Sequence, residues 1–316
     1  MARRPRLRYE GAMLGSAARH GALSVSCAML ALACSADPSA PAPSVAGPTD
    51  DGTATPAPAP VPAPAPAPAP GPGPAPAPAP DGPPAALTCL AGHYGATPVG
   101  SAAAWSLRLA DGTTHAWDDG LPKTFDERLA QPDLQDTLSI PYAVGAIAPV
   151  NAKDHDPGRI RHDRMFKSAF GDAEAAVRAR LVDVAFVGQT VKFHTKAAAA
   201  LARVSTRLEA AIANTPSLSA YVTGTLGGTF EWRPIANTQR MSAHSYGIAI
   251  DIVVSKSDYW EWDKTPQGTF TWTNRIPQAI VDAFEAEGFA WGGRWYHYDT
   301  MHFEYRPELF DARCKL

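Results

Sequence analysis

A proline–alanine tract divides this chain into parts that cannot share one core. From about residue 37 to residue 84 the sequence has almost no large apolar side chain and contains the run PAPAPAPAPGPGPAPAPAP. Such a composition cannot bury enough apolar surface to offset the entropy lost on ordering. Polyproline II rises about 3.1 Å per residue, so roughly 50 residues reach on the order of 100 Å. We predict that residues 34–86 are a disordered tether rather than a partner-binding segment, because no basic PxxP context accompanies the tract.

The residues before the tether have the layout of an export signal. Four arginines within the first eight residues precede the apolar run GALSVSCAMLALA, which is shorter than the roughly 20 residues that span a bilayer. The run ends at Ala31-Leu32-Ala33-Cys34, which resembles a bacterial lipobox with alanine in place of the usual leucine at its first position. We predict that residues 1–33 are a signal peptide and that Cys34 is lipidated. The protein is then exported, either as a membrane-anchored lipoprotein facing the periplasm or cell surface, or in secreted form.

The remaining residues, 87–316, are long enough for one substantial core and form the predicted working domain. Once Cys27 and Cys34 are assigned to the signal region, Cys89 and Cys314 remain at the two ends of this domain. In an exported protein such a pair predicts a disulfide. Two thiolate metal ligands are the alternative, but no CxxC spacing supports them.

Charge argues against a nucleic-acid partner. After residue 33 the chain holds 23 basic and 30 acidic residues, and no basic cluster is present. A surface that follows phosphates needs concentrated lysine and arginine. We therefore expect no nucleic-acid binding.

Hydrophobic periodicity predicts helices first and short strands late. The predicted elements are a helix and then a strand in 173–187, helices at 197–212 and 276–287, a turn and strand at 223–235, a central strand within 241–254, and strands at 289–295 and 301–305. The links between the late strands are too short for parallel crossovers. The predicted fold is therefore α+β, a mainly antiparallel sheet with flanking helices. Residues 87–140 give no clear assignment.

Two of the predicted strands each carry ligand-type side chains among apolar neighbours. Asp251 interrupts the run IAIDIV, and burying a carboxylate is costly unless it is paired or binds a metal. Since strand side chains alternate, Asp251 points away from the isoleucine face, and His302 and Glu304 likewise share one face of the last strand. His244 precedes the first of these strands. Each residue alone is typical of a hydrogen-bonded loop histidine or a buried ion pair, but together they predict a metal site.

Three nitrogen and oxygen ligands, with a fourth position left to water, are typical of catalytic zinc, which lowers the pKa of that water to about 7. A base must still accept the proton. Asp299 lies three residues before His302 in a turn-like YDT sequence, and a carboxyl with an ordinary pKa near 3.9 is ionised at neutral pH. The alternative is that Asp299 caps its own turn. Glu304 is either a partner that orients a ligand histidine or a solvated strand residue.

These residues resemble a known family. The stretch SAHSYGIAID, residues 242–251, is similar to the SxHxxGxAxD signature of zinc D-Ala-D-Ala carboxypeptidases and L-Ala-D-Glu endopeptidases of the peptidase M15 group, and DTMH, residues 299–302, resembles their closing (D/E)xxH element. The resemblance extends over most of residues 140–310, including DPGRIR at 156–161 and WGGRW at 291–295.

The resemblance implies a Hedgehog/DD-peptidase fold, one Zn²⁺ on His244, Asp251 and His302, and Asp299 as general base. It also implies an arginine upstream of the signature that binds the substrate carboxylate or polarises the scissile carbonyl. Arg233 takes that place, with Arg240 as its substitute.

The sequence thus predicts a zinc metallopeptidase that hydrolyses peptidoglycan stem peptides, without indicating which bond is cut. The alternative is a non-catalytic zinc-bearing domain of the same fold that binds cell wall or a protein. Further candidates for contact with the ligands or the substrate are Ser242, Tyr246, Trp295 and Glu304.

Overall fold

The computed structural model describes residues 82–102 and 104–316. The predicted signal peptide, the lipidation site Cys34 and nearly all of the predicted tether lie outside these residues. The first helix begins at Ala85, directly after Pro84, and it buries Leu87 and Leu90. This helix therefore begins two residues before the predicted boundary at 87.

The described residues form α-helices and three small sheets. The described α-helices are α1 (Ala85–Tyr94), α2 (Phe125–Ala130), α3 (Asp163–Phe170), α4 (Glu174–Arg178), α5 (Thr195–Asn214), α6 (Ser219–Val222), α7 (Trp260–Asp263) and α8 (Gln278–Glu285). The strands are β1 (Thr97–Ser101), β2 (Ala104–Arg108), β3 (Thr114–Ala116), β4 (Leu181–Phe186), β5 (Gln189–His194), β6 (Ala249–Asp251), β7 (Phe289–Trp291) and β8 (His302–Tyr305). Within 82–102 and 104–316, no helix combines the length and apolar character needed to cross a membrane.

Every strand pairing among the described residues is antiparallel, and the sheet orders are β1-β2-β3, β4-β5 and β6-β8-β7. The α+β prediction is confirmed. The prediction that strands cluster late is wrong, because β1, β2 and β3 come before most helices. Their side chains are largely exposed or half-buried, so they carry no clear buried alternation that a sequence pattern could reveal.

The long helix α5 matches its predicted position. Leu201, Val204 and Leu208 form its buried stripe, and it packs against β4 and α8. Helix α8 was also predicted, and Gly288 follows it in the left-handed region at φ +80°. A glycine adopts this conformation without steric cost, so it ends the helix and lets β7 begin at once.

The sheet that carries the predicted ligands differs from its prediction. Strand β8 is its middle strand, whereas β6 is an edge strand of three residues and not a central strand. The predicted strand at 223–235 is absent from the described structure, where this segment makes only isolated bridges, one of them between Gly228 and Asp251. The chain at Gly227 passes so close to Asp251 that a regular strand with side chains on that face would not fit.

The predicted disulfide is present between Cys89 and Cys314. Their Cα atoms are 5.2 Å apart although 225 residues separate them in sequence. Cys89 lies on α1 and Cys314 ends the 3₁₀ turn Ala312–Cys314. The bond thus ties the first helix of the domain to its last turn.

Candidate metal centre and active site

Local structure brings the three predicted ligands together. His244 lies on the 3₁₀ turn Ala243–Tyr246, where the Ser242 hydroxyl caps the turn by accepting from the His244 amide at 3.3 Å. Gly247 ends the turn at φ +62°, which reverses the chain into β6. At the end of β6, Asp251 lies directly opposite His302 on β8 in the antiparallel register. The short sheet therefore presents two ligands side by side, and the turn adds the third.

The ligand atoms form a nearly equilateral triangle. His244 Nε2 lies 3.1 Å from Asp251 Oδ1 and 3.2 Å from His302 Nδ1, and His302 Nδ1 lies 3.0 Å from Asp251 Oδ1. Ligands 2.0–2.1 Å from a tetrahedral zinc are about 3.3 Å apart. The three atoms therefore have the spacing of one face of a zinc tetrahedron.

The outer hydrogen bonds determine which ring nitrogens are free to bind a metal. His244 Nδ1 lies 3.1 Å from the carbonyl oxygen of Thr229, and His302 Nε2 lies 3.2 Å from Glu304 Oε2. Both partners are acceptors, so these nitrogens carry the hydrogens and donate. The opposite nitrogens then direct lone pairs at each other and at Asp251. Three acceptors facing one another need a cation, and this donor set fits Zn²⁺.

Without a bound metal, a proton has to serve as that cation. Burial opposes a charge on His302, but hydrogen bonds with Asp251 and Glu304 outweigh it and raise its pKa to about 10. Burial also works against ionisation of Asp251, yet the neighbouring His244 and His302 hold its pKa far below the usual range. Metal binding must displace this proton, so metal affinity should weaken as the pH falls.

Glu304 is fully buried and orients His302, so it is not the solvated strand residue of the alternative interpretation. Its Oε2 accepts from Arg161 at 2.7 Å as well as from His302, and its Oε1 accepts from Arg306 at 3.1 Å. Burial raises its pKa, but the charge of Arg161 and the bond from His302 outweigh burial and keep the pKa well below the usual range. An ionised Glu304 keeps the His302 ring in one tautomer and one orientation.

Asp299 lies next to the ligands and has an unused oxygen. Among the described residues, its buried Oδ1 has no hydrogen-bond partner, so this oxygen makes no capping bond. Its backbone is fixed by hydrogen bonds with Gly292 and His302. Burial, followed by the charge of Asp251, raises the pKa of Asp299 to about 6. A buried, unpaired carboxylate oxygen beside a ligand triangle has the surroundings expected of a general base.

Two further predicted contacts, Trp295 and Tyr246, differ in their positions. Trp295 packs behind the site with its ring 5.6 Å from the His302 ring, and its Nε1 donates to the carbonyl of Pro157 at 2.8 Å. Tyr246 is buried in the core, and its hydroxyl donates to Asp163 at 2.9 Å. Tyr246 ends the 3₁₀ turn that carries His244, and its side chain points into the core.

Arg233 is held at the surface. Its Nε donates to Glu231 Oε2 at 2.8 Å, and both side chains are exposed. Its backbone is nevertheless connected to the site, because its amide donates to the hydroxyl of Ser245, the neighbour of His244. The structure therefore places the Arg233 chain segment beside the ligands but directs the guanidinium to an exposed ion pair.

A second arginine near the site was not among the predicted site residues. Arg159 donates to the fully buried Asp156 at 2.7 Å, and its guanidinium lies 5.4 Å from the Trp295 ring centre, on the ring that packs against His302. Asp156 also binds His297 Nδ1 at 2.7 Å. The positive charge of Arg159 partly offsets the rise in the pKa of Asp299 that burial and Asp251 cause. Arg159 lies in the DPGRIR motif, but no pattern within that motif distinguishes it from Arg161.

Comparison with known families covers the same residues. Residues 236–305 match the family model of D-alanyl-D-alanine carboxypeptidase. Residues 236–305 are therefore similar to this carboxypeptidase family. This segment contains all three ligands and Asp299, and it confirms the resemblance that the signature predicts and supports a hydrolase of the D-Ala-D-Ala carboxypeptidase kind. It covers less than a quarter of the chain and excludes Arg159 and Arg233. No curated protein and no solved structure matches this chain.

The glycine behind Asp251 gives a test of the ligand geometry. The Gly227 amide donates to the Asp251 carbonyl at 2.9 Å, and a Cβ at position 227 would lie 2.6 Å from the Asp251 Cβ. We expect Gly227→Ala to displace the Asp251 carboxylate and to weaken metal affinity roughly 10-fold or more, as loss of a ligand's support does. A competition titration with a chromogenic chelator measures this affinity.

Gly92→Ala is the matched control. Gly92 lies within α1 with nothing within 4 Å of its added Cβ. This substitution should leave metal affinity unchanged and stabilise the helix by about 0.5–1 kcal/mol. Equal metal affinities for both alanine variants would show that Asp251 is not held by the approach of Gly227.

Proposed function

We propose that this protein is a zinc-dependent peptidase that hydrolyses peptidoglycan stem peptides, of either the D-Ala-D-Ala carboxypeptidase or the L-Ala-D-Glu endopeptidase type. One observation carries the proposal. The ring nitrogens His244 Nε2 and His302 Nδ1 and the carboxylate oxygen Asp251 Oδ1 lie within 3.2 Å of each other, beside an unpartnered oxygen of Asp299. The family match over residues 236–305 supports the peptidase class.

Each group has a distinct role in the proposed reaction. His244, Asp251 and His302 would hold one zinc ion, which supplies a Lewis acid for the scissile carbonyl and lowers the pKa of water to about 7. Asp299 accepts the proton of the attacking water and returns it to the leaving amine. Glu304 keeps the His302 ring oriented throughout, since its carboxylate is anchored by two arginines.

An arginine would stabilise the charge that develops on the carbonyl oxygen, and Arg159 is a candidate in addition to Arg233 and its substitute Arg240. Arg233 is the family's candidate but lies in an exposed ion pair, whereas Arg159 is largely buried against Trp295. We expect Arg159→Ala to lower kcat/KM about 10²-fold, the loss typical of one oxyanion donor. We expect Arg233→Ala to lower kcat/KM by less than about 10-fold, because the lost side chain pairs with Glu231 and the amide bond to Ser245 is kept.

Both variants are assayed at equal metal content and after thermal melting has shown that each is folded. The opposite order of effects would return the carbonyl-polarising role to Arg233, and would mean that its guanidinium leaves Glu231 when substrate binds. Equal, small effects would exclude both arginines from the reaction.

The test of the whole proposal uses the purified full-length chain. Metal analysis should find about one zinc per chain, and muropeptides should lose mass only in samples without a chelator. Loss of a terminal alanine would identify the carboxypeptidase reaction, whereas separation of the stem after L-alanine would identify the endopeptidase reaction. Bound zinc with intact muropeptides would reject the enzyme and favour the non-catalytic binding domain.

The proposed substrate requires that the domain reach the cell wall. We propose that the protein is exported and anchored through a lipid on Cys34, and that the proline–alanine tract spans the distance to the peptidoglycan. Replacing Cys34 by serine should then move the protein from the membrane fraction to the soluble fraction of exporting cells. An unchanged distribution on fractionation would contradict the lipid anchor and leave simple secretion or another attachment.

A further inference from the structure

A second group of ligand-type side chains surrounds the disulfide. Cys89 and His93 lie on α1, while Asp311 and Cys314 flank the last 3₁₀ turn. One ligand atom from each of the four residues lies within 4.8 Å of the other three. His93 Nε2 and Asp311 Oδ2 are 3.2 Å apart, which is close to the roughly 3.3 Å between ligands of a tetrahedral zinc.

Local structure fixes the two ligand pairs separately. Cys89 and His93 are four residues apart on one helix, so their side chains share a face. Asp311 caps the last turn by accepting from the Arg313 amide at 3.0 Å, and the Cys314 amide donates to the Asp311 carbonyl at 3.0 Å. Each pair is therefore carried by its own rigid element, and the disulfide holds the two elements together.

The surroundings of the group leave it accessible from one side. Cys89 and Cys314 are buried, whereas the His93 and Asp311 side chains are about a quarter and a sixth exposed, at 24% and 16%. Arg313 also pairs with Asp311. The Arg313 side chain is 78% exposed, so water can readily replace its guanidinium at the Asp311 carboxylate. A metal ion can thus approach the histidine and the carboxylate from solvent.

We propose that reduction of the Cys89–Cys314 disulfide converts this group into a second zinc site with two cysteine, one histidine and one aspartate ligands. In the oxidised form the two sulfurs are bonded to each other and cannot act as thiolates, so only His93 and Asp311 are available. Reduction supplies the two missing ligands and gives the four-coordinate, cysteine-containing set of structural zinc sites. The proposal does not depend on the activity of the other centre.

The chemistry balances with a dithiol as reductant. Two electrons and two protons pass from the dithiol to the S–S bond, which breaks into two cysteine thiols while the dithiol closes to its own disulfide. Binding of Zn²⁺ then releases both thiol protons to solvent, because the thiolate is the ligand. Either bond, S–S or metal–thiolate, joins α1 to the last turn. The first helix and the last turn of the domain therefore stay linked in both oxidising and reducing surroundings.

The experiment counts metal ions on the oxidised and the reduced protein. The experiment uses the full-length chain with Cys27 and Cys34 replaced by serine, so that Cys89 and Cys314 are its only cysteines. One sample is reduced with a phosphine instead of a dithiol, because a dithiol would itself bind metal. The phosphine is then removed anaerobically. Both samples are loaded with Zn²⁺ or Co²⁺ alone and freed of loose ions by gel filtration. We expect the reduced sample to hold one more ion per chain than the oxidised sample, with a thiolate-to-cobalt charge-transfer band for Co²⁺.

Variants connect the extra ion to these residues. His93→Ala and Asp311→Asn keep both cysteines and should each weaken binding of the extra ion about 10-fold or more, since even outer-shell losses cost about 10–100-fold. His155→Ala is the control for loss of a histidine elsewhere. Equal metal content in both samples would overturn the proposal, as would an extra ion that binds equally well to the His93→Ala and Asp311→Asn variants. Circular dichroism of the oxidised variants confirms their folding.

Discussion

Asp299→Asn should remove nearly all peptide hydrolysis and leave about one zinc per chain in place. Asp299 is not one of the three ligands, and asparagine has the same shape but cannot accept a proton from water at neutral pH. A positioned general base contributes about 10²–10⁴-fold to a rate, so kcat should fall by that factor. Steady-state kinetics on a defined muropeptide, together with metal analysis of the same preparation, measures both outcomes.

The same substitution should stabilise the fold in the absence of metal at neutral pH. The pKa of Asp299 is about 6 in the folded protein, above the roughly 3.9 of an unfolded chain, because its charge is buried beside Asp251. A raised carboxyl pKa means that ionisation destabilises the folded state, and this cost develops as the pH rises from about 4 to 6. Asparagine avoids the cost. Denaturant unfolding in chelator should therefore favour the variant at pH 7 and show little difference below about pH 4.

Asp282→Asn controls for the chemical change itself. Asp282 is exposed on α8, away from the ligand-bearing strands, so its amide variant should leave kcat unchanged. If Asp299→Asn keeps both its zinc and its full hydrolysis, Asp299 is not the base. If no hydrolysis is found in the parent chain either, the zinc-bearing binding domain becomes the better description.

The sequence contained enough information to predict the ligand triangle, because alternation within a strand is local. Placing Asp251 and His302 on one sheet face needs only the period of two and two neighbouring antiparallel strands. The helices α5 and α8 can be predicted from the sequence equally well, since each carries a buried stripe with the helical period. Short-range patterns of this kind also determine where a turn can present His244.

Contacts between distant segments could not be predicted in the same way. Arg159 reaches the site only because Asp156, 141 residues before His297, is buried against that histidine and the chain folds back over Trp295. Glu304 had two open interpretations until Arg161 was placed against it. Strand β6 lies at the edge of its sheet, with only an isolated bridge to Gly228 on its other side, and this pairing depends on a segment more than 20 residues earlier in the chain. These roles depend on burial and on contacts between residues far apart in the chain, which local sequence patterns do not indicate.

Arg306→Met should destabilise the folded protein by about 3–5 kcal/mol, the loss typical of breaking a buried ion pair from one side. Arg306 is fully buried, donates to Glu308 at 2.5 Å and to Glu304 at 3.1 Å, and also binds the carbonyl of Gly158. Methionine fills much of the space but leaves two buried carboxylates short of a cation. Denaturant unfolding of the oxidised protein measures the loss, and Arg313→Met, at an exposed ion pair, should change stability little.

The same variant tests whether the buried charges also serve the metal centre. Glu304 orients His302, so a Glu304 that has lost Arg306 should hold the histidine less firmly and metal affinity should fall along with stability. A double variant, Arg306→Met with Glu308→Gln, neutralises the carboxylate that Arg306 binds most closely and should recover part of the stability without recovering the affinity. If stability and metal affinity recover together in the double variant, Arg306 acts on the metal centre only through the stability of the fold. Because Arg161 still binds Glu304 in every variant, affinity that is retained while stability is lost would show that Arg161 is sufficient to hold the ligand.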